Sequence, residues 1–308
     1  MYFQSMDYFV TTARERSFTK AAQKLHITQQ TLSAHIAMIE KELGCQLFIR
    51  HIPLELTYAG DIFLRYALNF QKQYCSMQRT FSDISQQYQG ILRIGVPHTR
   101  GRVIMPKLIA AFQKSYPKIE IQVIEDTNDN LAEKLFGAEV DIAIADFPER
   151  MPGMQLMDFY KENVVLLISE ILLHEFYGAD TEKIIQQVNQ SGNIAPLQEC
   201  PFLMNHEHDI AGKFAQSLLR KANFHPVIKA QSENIELLLD LCLRNIGACF
   251  CSEMLAQTVL SAQQLEKLTM FHFDENAEFM IRLGWMENSD DWIVRSAFLN
   301  SAKELYTK

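Results

Sequence analysis

Between Gly60 and Gln87, seven apolar or aromatic residues recur at alternating steps of four and three: Phe63, Ala67, Phe70, Tyr74, Met77, Phe81 and Ile84. That is three heptads of core positions, the mark of a long helix with a coiled-coil seam. No Pro or Gly interrupts residues 61–87. Alone in water such a helix would expose large aromatics, so pairing with a second copy is expected. The seam divides the chain, and residues 60–89 are read as a linker and dimerisation helix between two dissimilar parts.

Ahead of the seam the pattern is helical. Phe3, Met6, Phe9 or Val10, and Ala13 form one stripe. Ser17 can cap a helix with Phe18, Ala21, Ala22 and Leu25 on its apolar face. After the short break at His26-Ile27, Thr28 caps a second helix with Leu32, Ile36, Ile39 and Leu43 inward, and Gly44 ends it. Two short amphipathic helices about three residues apart make a helix-turn-helix. Residues 46–50 and 54–57 are strand-like around His51-Ile52-Pro53, which predicts a wing. Residues 1–59 therefore read as an all-α winged helix-turn-helix domain for DNA.

Beyond the seam, residues 91–96, 119–124 and 140–145 are strand-like, with helical patterns between them. That alternation predicts a doubly wound α/β sheet. A second set follows: strands at 164–168, 202–204, 227–230 and 247–251 with helices near 214–219 and 235–243. Residues 279–285 and a helix over 292–306 resume the first set. Residues 90–308 are thus expected to form an α/β domain of two lobes around a cleft. Lobe I covers about 90–161 and 268–308, lobe II about 162–267. The stretch 178–196 is long and polar.

The net charge of −8 argues against a DNA binder only until it is divided. Residues 1–89 hold nine Lys/Arg against seven Asp/Glu; residues 90–308 hold twenty against thirty. The acidity lies in the C-terminal part, and a weakly basic head needs two or more copies on one DNA for useful affinity. No run approaches the roughly 18 apolar residues of a membrane span. No basic segment with an apolar stretch opens the chain, so no secretion signal is expected and a cytoplasmic protein is. Cys45, Cys75, Cys200, Cys242, Cys249 and Cys251 form neither a CxxC pair nor a zinc ribbon; they read as buried small hydrophobes in a reducing cytosol.

The residues Ser17-Phe18-Thr19-Lys20-Ala21-Ala22 with Leu25, Thr28-Gln29, Leu32-Ser33, Ile36, Glu40, Glu42-Leu43-Gly44, Leu47-Phe48, Arg50, Leu56-Thr57 and Ala59-Gly60 resemble, without gaps, the LysR-type transcriptional regulators. A looser match continues through Leu92-Arg93-Ile94-Gly95, Pro106, Phe112, Tyr116-Pro117, Glu125, Leu131, Asp141-Ile142-Ala143-Ile144 and Gly247. The resemblance implies a periplasmic-binding-protein-like effector domain, a homodimer that further assembles into a homotetramer, promoter DNA with an inverted repeat as one partner, and a small-molecule effector as the other. Departures stand at Gln30, where the family often has Pro, and at Ala34, where it often has a basic residue. The wing also has fewer arginines, and Glu170 to His174 replaces a usual His-Pro-Leu.

In a helix-turn-helix the second helix enters the major groove. Its outward residues are Gln29, Gln30, Ser33, Ala34 and Ala37, flanked by Thr28, Thr31 and His35. Gln can bind adenine through two hydrogen bonds. Arg50 and His51 in the wing are expected phosphate contacts, and Lys20 and Lys24 are either contacts or plain surface. Three strand-to-helix junctions offer free backbone N–H groups to a ligand: His98-Thr99-Arg100, Thr127-Asn128 and Asn205-His206. The resemblance places effector contacts at Thr99, Asn128 and Asn205. Arg100, Arg102 and His98 would suit an anionic effector. His206-Glu207-His208 lacks the spacing of a metal site, and no metal or other cofactor is expected. No P-loop, GxGxxG, GxSxG or HExxH is present, so no catalytic residue is assigned. Two rivals remain: a redox-sensing regulator using Cys200 or Cys249/Cys251, and a solute-binding or enzymatic α/β module oligomerised by its N-terminal helices.

Overall fold

A computed structural model describes residues 3–51, 53–84, 88–206, 209–273, 277–287 and 292–306, with the side chains of Phe3, Lys72, Cys75, Arg79, Thr80, Ser82, Asp83 and Ile84 outside the description. The chain divides into two compact units, residues 1–87 and 88–308.

In the first unit α1 (Phe3–Glu15) is followed by α2 (Phe18–Lys24), α3 (Gln29–Leu43), the strands β1 (Phe48–Ile49) and β2 (Glu55–Leu56), and α4 (Tyr58–Ile84). The caps have local causes. The Ser17 hydroxyl accepts from the Lys20 N–H, and the Thr28 hydroxyl accepts from the Thr31 N–H. Gly44 ends α3 at φ 71°, a left-handed conformation that glycine adopts without a side-chain clash. The core closes around Phe9, whose ring lies 5.0 Å from Phe48 and 4.7 Å from Phe63. Leu32, Ile36 and Ile39 of α3 are buried in the same core. Leu43 is not: expected inward, it is 42% exposed, because Gly44 ends the helix before another element can cover it.

The wing is held by one carboxylate. Glu40 Oε1 accepts from the backbone N–H groups of Leu47 and Phe48 at 2.9 and 3.3 Å. Gly60 joins the wing to α4: a Cβ there would collide with the Leu47 carbonyl oxygen. Along α4, Phe63 and Ala67 are buried in this core, whereas Phe70, Tyr74, Met77 and Phe81 are exposed. The first two seam positions pack on their own domain, and the described remainder is exposed.

The second unit runs β3 (Gly90–Val96), α5 (His98–Ser115), β4 (Ile119–Glu125), α6 (Asn128–Phe136), β5 (Ile142–Ala145), β6 (Met154–Ser169), α7 (Glu170–Tyr177), α8 (Thr181–Ser191), β7 (Phe202–Asn205), α9 (Ile210–Ala222), β8 (Ile228–Ser232), α10 (Ile235–Leu243), β9 (Ala248–Ser252), α11 (Glu253–Val259), α12 (Ala262–Leu265), β10 (Leu268–Phe271), β11 (Glu278–Met286) and α13 (Ile293–Tyr306). In lobe I, β4, β3 and β5 are parallel, and β11 runs antiparallel between β5 and β6. In lobe II, β8, β7 and β9 are parallel, and β6 pairs antiparallel with β9.

The lobes share β6. Residues 154–163 pair with β11 in lobe I, and residues 164–167 pair with β9 in lobe II. Its first half lay outside the expected strands. A second difference concerns Leu268–Phe271, expected in lobe I: it pairs with residues 166–169 and so extends the sheet of lobe II. The stretch 178–196 contains α8, which buries Val188 beneath a polar outer face. No described helix is long and apolar enough to cross a membrane.

Phe9→Ala should destabilise the first unit by about 3–5 kcal/mol. Both tryptophans, Trp285 and Trp292, lie in the second unit, so helix loss by circular dichroism should precede any change in tryptophan fluorescence.

Candidate functional site

On α3, Gln29, Gln30, Thr31, Ala34 and Ala37 are exposed and Ser33 is half-buried. Gln29 Oε1 accepts from the Thr19 hydroxyl at 3.0 Å, which links α2 to the start of α3. Thr28 and Thr31 share a hydroxyl contact of 2.8 Å. His35 turns toward α1: its ring meets Tyr8 edge-on at 4.9 Å, and its Nδ1 lies 3.3 Å from the Ser5 hydroxyl. That contact orders the two helices rather than presenting the imidazole outward. Arg50 donates to Glu40 at 2.9 Å and sits over the Phe18 ring, with half its side chain exposed. His51 bonds the Pro53 carbonyl oxygen at 2.7 Å and lies 3.5 Å from Glu55. Both basic wing residues therefore carry internal partners. Ile52 lies outside the described residues.

The second unit contains a cleft of about 350 Å³ at the ends of strands and the starts of helices. His98 and Thr99 reach it from the start of α5, Asn128 from α6, and Asn205 and His206 from the end of β7. The sequence named these five and missed four carboxylates beside them, Glu125, Asp126, Asp209 and Glu233. Asp209 had a readable signal, since an acid just before the apolar pattern of α9 stands at an N-cap position. Glu207 and His208 fall outside the described residues. Among those described, no cluster of three or more His, Cys, Asp or Glu could hold a metal.

Arg100, expected to meet an anion, is buried and already paired. Its Nη2 donates to Glu162 Oε2 at 2.7 Å, its Nε reaches the same oxygen at 3.3 Å, and its Nη1 reaches Asn128 Oδ1 at 3.4 Å. The reason is burial: a guanidinium away from water requires an opposite charge. Burial opposes the Arg100 charge, but Glu162 overcomes that and holds its pKa above the ordinary guanidinium value. Arg102 lies apart from the cleft lining, mostly exposed and paired with Glu236 at 2.8 Å. Asn128 Oδ1 also accepts from the Asp146 backbone N–H at 3.1 Å. Asn205 is 2% exposed and donates to Asp209 at 3.0 Å, leaving its own oxygen buried without a partner. Burial pushes the carboxyls of Asp146 and Asp209 above their ordinary range.

Cys200, Cys242, Cys249 and Cys251 are free and buried. Burial pushes the thiols of Cys200 and Cys242 up to about 12 and those of Cys249 and Cys251 up as well. Peroxide attack needs thiolate, which such surroundings suppress. Cys45, expected to be buried, is instead exposed just after the end of α3 at Gly44, and the side chain of Cys75 lies outside the description.

Two family models match. Residues 3–61 match the bacterial regulatory helix-turn-helix protein, lysR family, and residues 85–291 match the LysR substrate binding domain. The uncharacterized HTH-type transcriptional regulator YcgK of Bacillus subtilis (strain 168) is 28% identical over 261 residues, 82% of this chain and 81% of its own. Among solved structures, full-length CbnR complexed with target DNA aligns over 99% of both chains with a TM-score of 0.64 at 18% identity. A full-length OxyR variant from Pseudomonas aeruginosa aligns over 98% of this chain and 94% of its own with a TM-score of 0.68 at 19% identity. At such identities the two structures share the fold.

Arg100→Met should destabilise the second unit by about 3–5 kcal/mol, because it strands the Glu162 carboxylate in the interior. The double substitution Arg100→Met with Glu162→Gln should recover most of that loss, as read from urea unfolding by tryptophan fluorescence.

Proposed function

The chain belongs to the LysR family of DNA-binding transcriptional regulators, and we propose that it reads its operator through the exposed face of α3 while sensing a small molecule in the cleft of its second unit. Gln29, Gln30, Ser33 and Ala34 meet base edges, and Thr28 and Thr31 at the helix start meet the adjacent phosphate or base. Arg50 and His51 assist at the backbone from the wing; their ties to Glu40 and Glu55 limit their reach. His35 acts by fixing α3 on α1. In the cleft, Thr99, Asn128 and Asn205 are the principal effector contacts, with His98 and His206 at its exposed margin; Arg100 supports Asn128 from below.

One observation carries the reading: an amphipathic helix capped by Thr28 presents exposed, hydrogen-bonding glutamines behind a fully buried Leu32–Ile36–Ile39 face. The exposed row Phe70, Tyr74, Met77 and Phe81 supports a homodimer through α4, and the effector domains join such dimers into a tetramer that acts on DNA in the cytoplasm. The double-headed assembly supplies the affinity that a weakly basic head lacks. An effector acts by binding one arrangement of the assembly more tightly than another. No catalytic role is assigned.

Selection of genomic fragments by the purified full chain at two salt concentrations should return a few fragments sharing an inverted repeat. Gln30→Ala should lose about 1–3 kcal/mol of discrimination at one base pair per half-site. Uniform binding that disappears with salt would contradict the reading. Met77→Asp with Phe81→Asp should convert the dimer to monomer in sedimentation and abolish selective retention. Treatment with mild peroxide or dithiothreitol should leave retention unchanged; a change would favour the redox-sensing alternative.

A further inference from the structure

Resting on the cleft being the effector site, we propose that its ligand carries a protonated primary amine, received by Asp209 and Asn205 at the head of α9, and that simple carboxylate or phosphate effectors are excluded.

Charge makes the first part of the case. No lysine or arginine is among the described residues lining the cleft, whereas four carboxylates are. Two cations adjoin these carboxylates, and each is already engaged: Arg100 pairs with Glu162 at 2.7 Å and Lys134 with Asp126 at 3.3 Å. The His98 ring lies 2.9 Å from Glu125. Among the described residues, no ion pair engages Asp209 or Glu233. Asp126 and Asp209 also stand at the starts of α6 and α9, so the helix ends that would attract an anion already face carboxylates of the chain itself.

An independent observation specifies the hydrogen bond. Asn205 lines the cleft, is 2% exposed, and has an Oδ1 without a partner. Its Nδ2 is committed to Asp209 at 3.0 Å, which fixes the orientation of the amide. The open position is therefore an acceptor, and a buried acceptor calls for a donor. A chamber of about 20 Å³ adjoins the cleft, with Thr99 and Asp209 lining both. Ser252 lines that chamber and its Oγ likewise has no partner. Arg100 and Glu162, paired with each other, also line that chamber, so the ammonium is placed in the larger cleft, where Asn205 and Asp209 are both lining residues. A carboxylate there would present acceptors to Asn205 Oδ1 and a like charge to Asp209.

The test follows tryptophan-detected melting of the full chain with 1,4-diaminobutane, 1,5-diaminopentane, lysine and arginine, against succinate, glutarate, benzoate and inorganic phosphate. At least one amine is expected to raise the melting temperature, and Asp209→Asn to weaken its binding about 10- to 100-fold. The comparison within the wild-type protein stands even if Asp209→Asn does not fold. Binding of the anions but not the amines, lost in Thr99→Ala or Asn205→Ala, would overturn the amine inference and keep the cleft as the effector site. Amine binding unaffected by all three substitutions would remove both. No binding by any amine would overturn the inference.

Discussion

The effector unit depends on one strand and one ion pair. β6 contributes its first ten residues to the sheet of lobe I and the rest to that of lobe II, with Glu162 near the changeover. The Arg100 guanidinium comes from the first turn of α5 and meets Glu162 in the interior. Taking two charges out of water is expensive, and their attraction compensates only when geometry and further hydrogen bonds are good. Here Asn128 supplies a further contact to Arg100 and accepts from the backbone at Asp146. The pair thus fixes the starts of α5 and α6 with respect to the strand both lobes use. It also neutralises the cation that the sequence offers most readily to an anion.

The DNA-binding unit relies on similar anchors in a more local form. Glu40 leaves α3 and gathers two wing amides and Arg50. Phe9 joins α1 to the wing through Phe48 and to α4 through Phe63. The buried start of α4 packs the long helix onto the core of the DNA head, while its aromatic row stays exposed.

What could be read from the sequence was what is local. Ser17, Thr28 and Gly44 announce their helix ends because a cap is decided within three or four residues. The five cleft residues were legible because strand-to-helix junctions are places where backbone N–H groups are free. What escaped depends on separation. Arg100 looks like a free anion receptor until Glu162, 62 residues away, is folded against it. Residues 154–163 mix polar and apolar side chains without the continuous run that marked residues 164–168, so half of β6 went unseen. The pairing of β10 with the far end of β6 spans about a hundred residues and leaves no local trace. His35 and Arg50 sit on faces that suit DNA by spacing alone, and only tertiary packing gives them Ser5, Tyr8 and Glu40 as partners.

The central claim is that occupancy of the cleft is felt at the DNA. The most direct measurement is a DNase I footprint of the full chain on a selected operator, titrated with a small-molecule extract of the host and repeated with Thr99→Ala and Asn205→Ala. The account predicts that the wild-type footprint changes in length or in its hypersensitive positions as extract is added, while the two variants keep the unliganded pattern. A footprint that responds equally in the variants, or a wild-type footprint that stays fixed while extract components bind the cleft, would contradict it.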